Sequence, residues 1–312
     1  MTQQIASRTA EFMALFRALE STRRPAARRL FTDPFARDLL RPVLRAVVDL
    51  SRVPIAGAMV ARLIDRRWPG ARSSGVARTR LIDDAIEKAL RDGVGQVVIL
   101  GAGFDCRAYR VRGIQRARVF EVDRGATLAA KRLRLTQILG VLPAHVIFVE
   151  VDFNRQALDQ QMEASGFDPS ARSFFIWEGV TNYLTAAAVD STLRYIGTNA
   201  VPGNRLIFTY VHRGVIDGSV PFEGTRNLAA TLGRAGEPWT FGIDPAEAPT
   251  YLADYGFELI EDLGATEYRA RYMGPSGRCM KGYEFYRTAL AEVRGAARST
   301  ASSAQAKAGS PH

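Results

Sequence analysis

"QVVILGAGFDCRAYRV", residues 96–111, decides how the rest of the chain is read. An uncharged, mostly apolar run ends in Gly101-Ala102-Gly103, and Asp105 and Arg107 follow at once. A short apolar run broken by glycines is a buried strand feeding a tight turn. In open α/β sheets ligands lie beyond the carboxyl ends of the strands, where glycine lets the backbone turn sharply and approach a ligand.

Working outward, similar apolar runs occupy 118–122, 146–151, 174–177 and 205–211, separated by helical patterns at 127–139, 156–165 and 186–198. Continuous apolar strands alternating with helices predict an α/β fold, a parallel sheet with helices on both faces. Runs at 257–262 and 283–288 flank a stretch rich in Tyr, Arg and Gly, and suggest an antiparallel hairpin at the sheet edge. Upstream, residues 5–19 and 76–90 have apolar positions at helical spacing, the second stopped by Gly93 and Gly95. In "FTDPFARDLL" Asp33 reads as an N-cap, with Pro34 at the first helical position. The expected organisation is an N-terminal helical cap over 1–92, a core over 93–294 and a disordered tail over 295–312, where apolar periodicity stops.

The chain has 312 residues, 47% of them hydrophobic, enough for one large domain with a cap. Its formal net charge of +10 is matched by the segment from Arg17 to Arg80, which holds fifteen arginines and five acids. The bland reading of that segment is a solvated helical face; no basic run is interleaved with aromatics as in nucleic-acid binding, so no nucleic-acid partner is expected. The apolar region 42–64 carries Arg45, Asp49, Arg52 and Arg62, which argues against a membrane span and for buried or amphipathic helix. No membrane partner is expected. Cys106 and Cys279 make neither a disulfide framework nor a metal cluster, so no metal is expected and a cytoplasmic protein is the default.

Two cofactors use a glycine turn of this kind. A dinucleotide wants G-x-G-x-x-G, but Cys106 stands at the third glycine, and Asp105 would face the pyrophosphate. S-adenosylmethionine has no phosphate and carries positive charge, so the acid is no penalty. Its ribose hydroxyls call for a carboxylate at the end of the second strand. Asp123 stands there, twenty residues after Gly103, with Glu121 as the near alternative. The third strand ends in Asp152 and Phe153, placed for an adenine, and the fourth is followed by Glu178. Acids after three successive strands beside the glycine turn form a constellation that favours S-adenosylmethionine.

"ARTRLIDDAI", "VVILGAGFDCRAYRV", "VFEVDRGATLAAKRLRL", "VEVDF" and "WEGVTNYL", in that order, resemble the leucine carboxyl methyltransferase family; "SRTAEFMALFRALES", "FTDPFARDLL" and "GEPWTFGIDPAEAPTYLADYGFELIEDLGATEYRARYM" resemble its bacterial branch. The resemblance implies a Rossmann-like class I methyltransferase sheet and S-adenosylmethionine as methyl donor. At matching positions it implies Arg78 on the methionyl carboxylate, Gly101, Ala102 and Gly103 against the cofactor, Asp123 on the ribose, Asp152 and Phe153 at the adenine, and Glu178 at the methionyl amino end. Arg17 corresponds loosely to a basic contact, and Arg80 competes with Arg78. Three positions depart from the pattern: Cys106 for a threonine, Arg124-Gly125 where a proline is usual, and Thr181-Asn182 where apolar residues are more common.

Methyl transfer from a sulfonium needs alignment more than activation. A carboxylate acceptor is already ionised at neutral pH, whereas a phenol usually needs a base. The expected activity is O-methylation of a carboxylate or phenolic hydroxyl on a small natural-product-type acceptor. Methylation of a protein or peptide C-terminus, or a non-catalytic cofactor-binding module, are the alternatives. Acceptor-side candidates are Tyr210, His212 and Arg213 in "YVHRG", and the aromatic set Trp239, Phe241, Tyr251 and Tyr255. Cys106 reads as a small packed residue and His145 as structural.

Overall fold

The structure, a computed structural model, describes residues 8–223, 225, 233 and 238–294. Its strands are β1 (Gln96–Leu100), β2 (Arg118–Asp123), β3 (Val146–Glu150), β4 (Ser173–Trp177), β5 (Arg205–Val211), β6 (Phe257–Gly264) and β7 (Tyr286–Val293). They form one sheet in the order β3-β2-β1-β4-β5-β7-β6. Strands β1 to β5 are parallel; β7 runs antiparallel to both neighbours.

The helices are α1 (Arg8–Arg23), α2 (Pro42–Leu50), α3 (Pro54–Arg67), α4 (Ala71–Arg91), α5 (Arg107–Arg110), α6 (Gly125–Leu139), α7 (Asp159–Ala164), α8 (Ala186–Asn199), α9 (Arg213–Ile216), α10 (Ala248–Ala253) and α11 (Ala265–Arg278). Side chains alternate across a strand, so each strand feeds two cores. Val98, Leu100, Phe120, Val122, Phe175 and Trp177 face one side, under Met162 of α7, Leu193 of α8 and Leu252 of α10. Val97, Ile99, Val119, Phe174 and Ile176 face the other, under Ile82 and Ile86 of α4. Burial on both sides is why these strands read as unbroken apolar runs.

The chain runs outward from β1 through β2 to β3, then returns to β4 on the other side of β1. This reversal opens a crevice at the carboxyl ends of β1 and β4. The glycine turn, Asp123, Asp152 and Glu178 all follow strands whose ends border it.

Three local expectations are corrected. Residues around Asp33 and Pro34 form turns rather than a helix: Asp33 Oδ1 accepts the Phe35 and Ala36 N–H groups, but its other oxygen is held by Arg17, and the chain turns again before α2. The stretch read as a loop between the last two strands is largely α11, which packs on α4 and is kinked at Gly274. Its buried face carries Tyr268 and Arg269, so an apolar count misses it; Tyr268 Oη shares a 2.5 Å hydrogen bond with Ser74, and Arg269 pairs with Glu284 at 3.0 Å. The last two strands do pair antiparallel at the sheet edge, but the second is Tyr286–Val293 rather than 283–288, and it lies between β5 and β6. Region 42–64 is amphipathic helix, in two pieces. The start of the first helix at Ile5 and the tail over 295–312 lie outside the described residues.

Candidate active site

A cavity of about 680 Å³ fills the crevice, within the ~300–1,000 Å³ range of small-molecule sites. Arg78, Gly101, Ala102, Gly103, Asp123, Asp152, Phe153 and Glu178, the eight cofactor-side candidates of the sequence analysis, all line it. Residues of α1, the end of α3 and the segment 238–240 close it from above.

The glycine turn is built for close approach. Gly101 has φ +69°, and a Cβ there would lie 2.2 Å from Val180 Cγ2 on the loop after β4. The Gly101 and Ala102 N–H groups bond back to the Val122 carbonyl, which fixes the turn against β2. Asp123 accepts the Gly103 N–H at 2.7 Å and the Arg124 N–H at 2.7 Å. Burial raises its pKa, opposed by those two backbone donors. Among the described residues no cation lies within ion-pairing distance of it.

The floor is a buried ion network. Arg78 donates from Nε to Glu178 at 2.7 Å, and Arg107 donates to the other oxygen at 2.6 Å. Arg107 also holds Asp105 at 2.5 Å and Asp83 at 2.9 Å; Arg110 joins Asp83 at 2.7 Å to Asp33 at 3.5 Å, and Asp33 holds Arg17 at 2.9 Å. Four arginines thus meet four carboxylates, and the network is neutral. Burial alone would raise the carboxylates, but Arg107 and Arg78 bring Glu178 down to about 2, and Arg107 and Arg17 bring Asp105 down to about 2. Arg78 also lies 4.7 Å from the Tyr286 ring centre and touches Met13 Sδ at 3.5 Å. Arg17 donates to the Phe104 carbonyl, tying α1 to the glycine turn.

The sequence competitors fall elsewhere. Arg80 reaches outward to Asp84 and the Leu30 carbonyl. Glu121 is fully buried beneath the turn, 2.8 Å from Lys131. Cys106 is wholly buried, and burial pushes its thiol up, so it is an unreactive packing residue.

The residues from 10 to 197 match the family model described as leucine carboxyl methyltransferase. Two proteins named "putative S-adenosyl-L-methionine-dependent methyltransferase" are 36% identical to the chain: one from Frankia alni over 250 residues and one from Streptomyces coelicolor over 256. Each alignment covers 80% of this chain and 82% of the relative. The crystal structure of a DUF574 family protein from Streptomyces avermitilis superposes with a TM-score of 0.58 at 14% identity, covering 92% of this chain and 98% of that one, which speaks for the fold. The chain belongs to the leucine carboxyl methyltransferase family. It is an S-adenosylmethionine-dependent methyltransferase with a Rossmann-like sheet.

The cavity of this methyltransferase suits that cofactor on chemical grounds. An arginine and a glutamate side by side match the two ends of an amino acid, and a carboxylate free of counter-cations can accept hydrogen bonds from neutral hydroxyls. An anionic pyrophosphate beside Asp105 and Asp123 would be repelled.

On the acceptor side the geometry departs from expectation. Tyr210, His212 and Arg213 do not line the cavity. Tyr210 is buried in the core and donates to Asp262; His212 Nδ1 accepts the Gly214 N–H; Arg213 pairs with Glu247 at the surface. Tyr210 lies within β5 and the other two follow it, two strands away from β1. Of the aromatic set, Trp239 lines the cavity, whereas Phe241, Tyr251 and Tyr255 pack on one another. His145 bonds the Ala108 carbonyl at 3.0 Å, a structural contact.

Sequence reading missed the aromatic wall: Phe12 and Phe16 of α1, Trp68, Tyr183, Tyr283 and Tyr286. Tyr283 has φ +70°, the one positive value outside glycine among the described residues, and its ring packs 4.9 Å from Phe285 and 5.9 Å from Tyr286. Strained backbone of this kind concentrates at functional sites. The cluster of aromatics in "GYEFY" (282–286) was the available signal, but it was absorbed into a predicted strand.

Proposed function

We propose that the chain methylates a carboxylate on a small, flat, natural-product-type acceptor, giving a methyl ester. When bound, S-adenosylmethionine supplies a methyl group already activated by the sulfonium. The residues' part is to bind, orient and exclude water. In this reading Arg78 takes the methionyl carboxylate and Glu178 the amino group, so the two side chains that now pair with each other each gain a partner of matching charge. Asp123 accepts from the ribose hydroxyls, Asp152 and Phe153 hold the adenine, and the backbone of Gly101, Ala102 and Gly103 lies against the nucleoside. Residues 1–92 act as the cap that shuts the cavity, and the enzyme works in the cytoplasm.

One observation carries the choice of acceptor. Among the described lining residues there is no histidine and no lysine, and burial raises the pKa of Tyr283 and of Tyr286. The lining carboxylates are either held by arginine, as Asp105 and Glu178 are, or assigned here to the cofactor, as Asp123 and Asp152 are, so none is left as a base to take a proton from an acceptor hydroxyl. An ionised carboxylate needs none, and Arg41 and Arg67 on the lining can receive it through paired hydrogen bonds. The aromatic wall supports a flat acceptor skeleton. The same two arginines could receive the C-terminal carboxylate of a peptide, which is the second reading.

A screen with labelled cofactor over aromatic and aliphatic acids, phenols and a peptide ending in leucine tests both. Base-labile label on a small acid supports the proposal. Base-stable label on a phenol overturns it, label on the peptide alone favours the second reading, and cofactor binding with no turnover on any acceptor points to a binding module.

A further inference from the structure

We propose that the outer face of α2 and α3 docks on an anionic lipid surface. Helix α2 buries Val48 in the ordinary way, but α3 buries mostly small residues and exposes large ones, against the usual amphipathic pattern. The inward side of α3 is built of Gly57, Ala61 and Ile64, and it fits so closely that a Cβ on Gly57 would lie 2.5 Å from the Ser51 carbonyl oxygen and 2.8 Å from Arg23 Cγ. Apart from Ile64, most of the large aliphatic side chains of α3 are left outside. Ile55, Met59 and Leu63, at four-residue spacing, are 76%, 64% and 71% exposed and form one stripe. Val43 and Leu50 of α2 and Val53 in the connection are also exposed. Of the ten exposed large hydrophobic side chains among the described residues, six fall between Val43 and Leu63.

Charge chooses the occupant. Between residues 41 and 67 the exposed charged side chains are Arg41, Arg52, Arg62, Arg66 and Arg67, with no acid. Asp49 and Asp65, the two acids of the segment, are half-buried and held by Arg37 and Arg72. Arg41 pairs with Glu11 at 3.2 Å and Arg52 with Asp49 at 3.5 Å, yet the exposed charge of the face is all positive. An aliphatic stripe set among exposed arginines matches a bilayer interface, with the aliphatics in the acyl boundary and the guanidinium groups on headgroup phosphates. A second copy across a two-fold axis would bring arginine against arginine. Nucleic acid would leave the aliphatic stripe unused. Neither helix is long and apolar enough to cross a membrane, so they lie on the surface. Arg41 and Arg67 also line the cavity, so docking puts its mouth at the lipid. On the proposed function, which this consequence alone rests on, a lipophilic acid could enter directly from the bilayer.

The test is co-sedimentation of the full chain with vesicles of phosphatidylcholine alone and of phosphatidylcholine with phosphatidylglycerol. Binding is expected on the anionic vesicles only, released by salt. R52E/R62E/R66E and I55S/M59S/L63S should each weaken it more than about tenfold, with thermal midpoint and cofactor affinity unchanged. Because the readout is vesicle binding, it stands apart from any methylation assay. Absence of binding at low salt, equal binding to neutral vesicles, or full binding by both variants would overturn the proposal. So would I55S/M59S/L63S turning an oligomer into a monomer in sedimentation velocity, or competition by nucleic acid at equal affinity.

Discussion

Glu178→Gln is the perturbation that tests the ion network most directly. Glu178 is shared between Arg78 and Arg107, at 2.7 and 2.6 Å. Arg107 keeps Asp83 and Asp105 after the change, but Arg78 has no other carboxylate among the described residues, and its side chain is 3% exposed. The network goes from neutral to a single uncompensated buried positive charge. Removing one partner of a buried pair costs about 3–5 kcal/mol, whereas replacing both with uncharged groups of similar volume is often near neutral. E178Q is therefore expected to lose about 3 kcal/mol in urea unfolding. R78M, which leaves Glu178 with Arg107, should lose less. R78M/E178Q restores neutrality and should lie within about 1 kcal/mol of wild type, a coupling well above the ~0.5 kcal/mol scatter of independent sites. Cofactor affinity, measured by calorimetry, should fall in all three, because the doubly neutral floor has lost the groups assigned to the methionyl end. Strict additivity of the two stabilities, or wild-type cofactor affinity in the double variant, would falsify the reasoning.

Asp123→Ala removes a charged acceptor worth ~1.5–3 kcal/mol, so the calorimetric Kd for S-adenosylmethionine should rise about 10- to 150-fold; an unchanged Kd removes Asp123 from the ribose. Lys131→Met leaves Glu121 buried without its cation and should cost about 3–5 kcal/mol at alkaline pH. Burial, opposed by Lys131, already raises Glu121 to about 6; the folded state binds the extra proton, so the K131M deficit should shrink as pH falls, and a pH-independent deficit would refute the pairing. Glu178 and Asp105, both held at about 2, stabilise the fold above the ordinary carboxylate range and lose that contribution as they protonate. Stability should therefore fall steeply between about pH 4.5 and 2, and D105N/E178Q should flatten that limb in acid titrations followed by circular dichroism.

The order of strands and helices in the core was legible in the sequence, because burial on both faces leaves a local signature: unbroken apolar runs between helical repeats. That carboxylates border the crevice was legible for a related reason. Each strand delivers its next residues to the same edge of the sheet, so the acids after β2, β3 and β4 could be read one strand at a time. Tertiary structure decided what lacks such a signature. Arg78 and Arg80 share a helix and differ by two positions, about 200° around its axis; periodicity did not choose between them, the family resemblance favoured Arg78, and the fold shows Arg78 facing the crevice. Arg78 and Glu178 lie 100 residues apart, and nothing local announces their pairing. α11 was hidden because its buried positions are Ala265, Tyr268, Arg269 and Gly277, which carry no large aliphatic, and the two polar ones are satisfied by distant partners. The aromatic wall gathers Phe12, Trp68, Tyr183, Trp239 and Tyr283 from five separate segments. Sequence periodicity reports which face of an element is buried. Which distant side chains share a cavity depends on how the elements cross, and that is fixed only when the chain has packed.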